Sequence, residues 1–119
     1  MPRQLELRVS FLTRRFAAHA PLWQFAIWAR QFSLFAIGFT LQLLVRALDG
    51  HATATPSRIA RYTCAAMAVV TVGVAWVAHA RACPYAYVSQ NAMESWLLLA
   101  ELFVLGLAII NTAVTDAMD

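Results

Sequence analysis

The chain has 119 residues, of which 61% are hydrophobic and 13% charged. Soluble domains carry about 45–50% apolar and about 25% charged residues, and a chain this short has no core large enough to hide the excess. All nine basic residues are Arg and most fall outside three apolar runs, so the net charge of +3 reads as membrane topology and excludes a nucleic-acid partner.

Residues 1–20 form a basic juxtamembrane segment. As a helix, Leu5, Val9, Leu12 and Phe16 make one apolar stripe opposite Arg3, Ser10 and Arg14, the pattern of an amphipathic interfacial helix. As a strand, Leu5, Leu7, Val9 and Phe11 alternate with Glu6, Arg8 and Ser10. Arg8, Arg14 and Arg15 interrupt any apolar core of a secretory signal, while the Arg-rich, acid-poor composition is like that of a mitochondrial presequence.

A three-span transmembrane domain is expected over 21–119, with spans at about 21–48, 59–82 and 93–115. Pro21 suits a first helical turn, Trp23 and Trp28 suit an aromatic belt, and Asp49-Gly50 suits a turn after the first span. Residues 49–57 read as an exposed loop, and 83–92, with Pro84, Tyr85, Tyr87 and Asn91, as an interfacial turn. The fold class is therefore all-α, an integral membrane three-helix bundle. Cys64 and Cys83 are nineteen positions apart on or beside one helix. That is about 28 Å, against the roughly 4.4–6.8 Å that a disulfide spans, so no internal disulfide is expected.

Three spans put the N-terminus and the second connection on one side, with Arg3, Arg8, Arg14, Arg15 and Arg81. Arg46, Arg58 and Arg61 lie on the other side with Asp49, Asp116 and Asp119. This imbalance places the N-terminus in the cytoplasm. The plasma membrane is the expected location, with the mitochondrial inner membrane as the alternative.

Cys64, Ala68, Thr71, Ala75, Ala78 and Ala82 recur at steps of three and four on the second span, a stripe of small residues suited to helix packing. Val70, Val74 and Val77 on the opposite side suit lipid. Gln24, Gln31, Gly38 and Gln42 share one side of the first span; Glu94, Glu101, Ala108, Thr112 and Thr115 share one side of the third. Amides and carboxylates are costly against acyl chains, so both stripes are expected to face protein.

The intramembrane polar candidates are Glu101, Arg30, Gln31 and Asn111. Arg30, about nine residues into the first span, and Glu101, about seven into the third, fall at similar depth. Pairing of the two is expected, or else a bond from Gln31 to Glu101. Such a pair either fixes helix register or belongs to a proton or cation path. His19, His51 and His79 are too scattered to ligate haem, no Cys/His set has zinc spacing, and no nucleophile triad or phosphate loop is present. No enzyme activity, metal or cofactor is expected. Cys83 beside the membrane is a candidate palmitoylation site or an unmodified thiol.

Phe11-Leu12-Thr13-Arg14-Arg15-Phe16, then Trp23-Gln24-Phe25-Ala26-Ile27-Trp28-Ala29-Arg30-Gln31, resembles a juncture in large multipass proteins of algae, oomycetes and ciliates. Pro84-Tyr85 and Asn91-Ala92-Met93-Glu94-Ser95-Trp96-Leu97 are similar to their final helix entry. These proteins look related to the TRP-like channel superfamily. The resemblance implies a helical segment packed within a larger channel or receptor-like assembly, with Arg30 and Glu94 at the cytoplasmic interface. The residues alone leave two alternatives open: an accessory or anchor subunit of a respiratory or energy-transducing membrane complex, and a homo-oligomeric ion or proton pathway through Glu101. The expected partners are the lipid bilayer and other transmembrane helices or further copies of the chain.

Overall fold

The computed structural model describes Gln4 and residues 16–20, 22–48 and 55–119. The expectations for the amphipathic segment, Pro21 and the Asp49-Gly50 turn therefore fall almost wholly outside the described residues. Among the described residues three long helices follow in chain order: α1, Trp23–Leu48; α2, Thr55–Ala82; and α3, Val88–Met118. At 26, 28 and 31 residues they run about 39–46 Å, enough to cross a hydrocarbon core of about 30 Å. All three are apolar enough to do so. The protein is an all-α, three-helix membrane bundle.

Two helices begin earlier than the sequence pattern indicates. α2 starts at Thr55, with Pro56 in the first turn, where its missing N–H costs nothing. α3 starts at Val88, so the second connection is shorter than the expected 83–92.

α2 is the central element. It packs on α1 and on α3, while α1 and α3 scarcely touch. The bundle is only 15 Å deep along its shortest axis, little more than the ~10–12 Å of one helix with its side chains. Burial follows from that flatness. Ala60, Cys64, Val72 and His79 on α2 and Leu98 on α3 are buried, whereas α1 has no buried residue. Val70, Val74 and Val77 face outward, as expected of a lipid-facing surface.

The end carrying the second connection is held by a polar clasp. Asn91 accepts a hydrogen bond from the Tyr85 backbone N–H (3.0 Å) and donates to the Tyr85 and Tyr87 carbonyls (2.9 and 3.3 Å). The Ala17 N–H donates to the Pro84 carbonyl (2.7 Å), the His19 Nε2–H to the Ala82 carbonyl (2.6 Å), and the Phe16 and Tyr85 rings pack 5.3 Å apart. Tight pairing of this kind satisfies backbone groups that a non-helical turn leaves open at the bilayer surface.

Candidate functional site

Two ion pairs mark levels along the bundle. Arg30 stands seven residues into α1 and Glu94 six into α3, so both lie about 10 Å from their helix starts; their Nη1 and Oε1 atoms are 3.4 Å apart. At the other end, Arg58 Nε on α2 lies 3.4 Å from Asp116 Oδ2 on α3, and the Tyr62 hydroxyl donates to the same oxygen (3.0 Å). Glu94 and Asp116 are 22 residues apart on one helix, about 33 Å, which matches the thickness of a hydrocarbon core.

Glu101 lies between those levels. It is the one charged side chain on α3 between Glu94 and Asp116; none lies between Arg30 and Arg46 on α1, or between Arg61 and His79 on α2. An ionised side chain at a helix centre costs roughly 2.5–3.5 kcal/mol on insertion scales. The ten Leu, Ile, Phe and Val residues from Leu97 to Ile110 offset it, at about 0.3–0.6 kcal/mol each. The helix can therefore insert with Glu101 in place, but the carboxyl still lacks a partner.

The expected pairing of Glu101 with Arg30 is overturned: Arg30 is paired with Glu94. The reason is the early start of α3. Glu101 is thirteen residues, or about 20 Å, from Val88, while Arg30 is about 10 Å from the start of α1. Gln31 does not take Glu101 either; it sits near the Arg30 level and its side chain is exposed. Among the described residues Glu101 has no ion pair and no hydrogen bond.

Glu101 is half-buried in the wall of a cavity of about 560 Å³, formed where α1 and α3 stand apart over α2. Gly38 and Leu41 of α1, Cys64 and Ala68 of α2, and Thr112 of α3 share that wall, and Arg61 and Tyr62 close its far end. The small-residue stripe therefore does not meet a tightly docked helix along its length. Cys64 and Ala68 line this trough; Thr71, Ala75 and Ala78 line a second cavity nearer the clasp, and Ala82 enters the clasp through its carbonyl. Both cysteines are free thiols.

The remaining polar groups divide by how they are satisfied. Ser33, Thr71, Thr112 and Thr115 donate to the carbonyl four residues back (2.8–2.9 Å), which lets hydroxyls lie in lipid without a partner helix. Gln31, Gln42 and Asn111 have no such local acceptor geometry and are exposed on the outer surface.

His79 was not singled out by its sequence. It is 2% exposed, packs against the rings of Trp23 and Tyr85, and its Nε2–H donates to the Asn91 carbonyl (3.0 Å). Trp76 Nε1–H adds a bond to Ser95 Oγ (3.1 Å). The legible signal was the position of polar His79 and Asn91 at facing helix ends, where a buried imidazole needs an acceptor. No group of metal-ligating side chains is present among the described residues.

The fold and these sites define a three-helix membrane protein with one unpartnered intramembrane carboxyl. No protein-family model matches the chain, and neither does any curated protein or solved structure.

Proposed function

We propose that this chain is a packing element within a larger helical membrane assembly, docking a further transmembrane helix into the trough between α1 and α3. The observation that carries this reading is Glu101: a lone carboxyl in the apolar part of the chain, aligned with a cavity and not with a partner. Intramembrane carboxyls face protein or water, and a hydrogen-bond donor on an incoming helix would satisfy this one. The amides of Gln31, Gln42 and Asn111 are exposed outside the trough and support further helix contacts on the outer surface of the same assembly. The resemblance to TRP-like proteins gives the assembly a channel or receptor-like character. The excess of Arg beside the N-terminus and second connection supports a cytoplasmic position for that side, and the plasma membrane is the membrane proposed.

A photo-crosslinking residue at Leu41, in the trough, tests this in cells. A discrete protein adduct is expected there, absent when the crosslinker is at outward-facing Phe103, and reduced by Glu101→Leu. Lipid adducts alone at Leu41 would refute the docking role.

The trough's extension from Glu101 to Arg61 and Tyr62 supports a second reading, a homo-oligomeric proton or cation pathway. It requires flux in proteoliposomes that Glu101→Gln abolishes; flux unchanged by that substitution removes Glu101 from the path.

A further inference from the structure

The second cavity lies at the clasp end, has a volume of about 470 Å³, and carries the Arg30–Glu94 pair in its wall. That volume falls within the ~300–1,000 Å³ of ordinary small-ligand sites. Its depth is fixed by the aromatic residues. All four Trp residues, Trp23, Trp28, Trp76 and Trp96, lie within about 12 Å of the clasp-end helix termini, and Tyr85 and Tyr87 occupy the connection itself. Trp and Tyr gather at the level of lipid headgroups, so this cavity opens where headgroups meet acyl chains.

We propose that the cavity binds a zwitterionic phospholipid whose headgroup ends in a primary ammonium, as in the ethanolamine phospholipids. The ion pair is unsaturated. Its single contact of 3.4 Å exceeds the ~2.7–2.9 Å of a charge-assisted hydrogen bond. The guanidinium has five N–H donors and the carboxylate about four acceptor sites; among the described residues neither group has another partner. Both side chains are mostly covered, at 18% and 19% exposure, so the unused capacity is held at a fixed place and not spread into solvent. A guanidinium beside a carboxylate is complementary to a phosphate beside an ammonium. The phosphate accepts from Arg30, and the ammonium donates to Glu94. A trimethylated amine has no N–H to donate, and a purely anionic headgroup would meet the Glu94 charge unrelieved. Ala26, Ile27, Val74 and Leu98 form apolar wall for the glycerol and upper acyl segments. His79 also lines this cavity; its Nε2–H is committed to Asn91, so it has no N–H left for the phosphate, and its buried Nδ1, which has no partner among the described residues, is an acceptor only.

The test uses the full chain in nanodiscs with equal amounts of ethanolamine, choline and glycerol phospholipids of identical acyl chains. Lipid retained on the released protein is read by native mass spectrometry. Retention of the ethanolamine lipid about tenfold over the choline lipid is expected, equivalent to ~1.4 kcal/mol, with stepwise loss as the amine is methylated. Because that series is read on the unaltered chain, it does not depend on any variant folding. Glu94→Gln should then bring ethanolamine and choline lipids to equal retention. Equal retention on the unaltered chain overturns the proposal. So does preference for the anionic glycerol lipid, which would make Arg30 alone the determinant.

Discussion

Cys83 follows the last residue of α2 with a backbone φ of 41°, in the left-handed region where a Cβ meets the neighbouring carbonyl at a cost of about 1–2 kcal/mol. The turn holds because its N–H still donates to the His79 carbonyl (2.9 Å) and leads the chain into the Asn91 clasp. Glycine adopts this conformation without strain and is the usual residue after a helix end. Cys83→Gly is therefore expected to stabilise the folded chain by about 0.5–1 kcal/mol, measured by denaturant unfolding in micelles. Cys83→Ser, which keeps the Cβ, should give no gain; equal behaviour of the two would show that the backbone here is unstrained. The Asn91 side chain makes three bonds to the turn it faces. Asn91→Ala leaves those backbone groups without partners, and a loss of roughly 1–3 kcal/mol is expected in the same measurement.

The helices show which features a sequence carries openly. Their existence follows from length and composition, since no other structure satisfies the backbone of three long apolar runs in lipid. Their ends were less legible because the signals there are ambiguous. Pro56 reads as a loop residue but serves as a first-turn residue of α2. Val88-Ser89-Gln90-Asn91 reads as a turn, yet Asn91 folds back onto Tyr85 from a helix already under way. That five-residue difference at the start of α3 moved Glu101 about 7 Å deeper and gave Arg30 a different partner. Glu101 itself stood out from sequence because a carboxyl amid Leu and Ala is rare; its lack of a partner could be read only once the three helices were placed. The glycines test that placement. A Cβ at Gly38 or Gly73 would meet nothing within 4 Å, so neither is needed for packing inside the chain. In a helix interior each costs about 0.5–1 kcal/mol relative to Ala. Gly38→Ala and Gly73→Ala should both stabilise the isolated chain by about that amount. Only Gly38 lies in the trough, so only Gly38→Ala should weaken crosslinking to a docked helix, which needs close backbone approach. Unchanged crosslinking in Gly38→Ala would locate the docked helix elsewhere.

The molecule as a whole is an incomplete solution to its own packing. The most apolar stretch of α1 has none of its residues fully buried, and that of α2 has 17%, so much of the apolar surface of the described residues meets lipid or other protein. What the fold does specify firmly is its position along the bilayer normal: two ion pairs about 33 Å apart, with every Trp clustered at one level. Those markers fix depth but not direction, because lipid headgroups border both faces. Direction rests on the Arg distribution, and the two native cysteines report it. Cys83 is exposed at the clasp end, whereas Cys64 is buried about 28 Å further along α2. A membrane-impermeant maleimide should therefore leave sealed cells unlabelled and modify each chain once in inverted vesicles, at Cys83. Cys64 should react only after denaturation. Labelling of Cys83 from outside intact cells would reverse the topology and place the lipid-binding cavity in the outer leaflet.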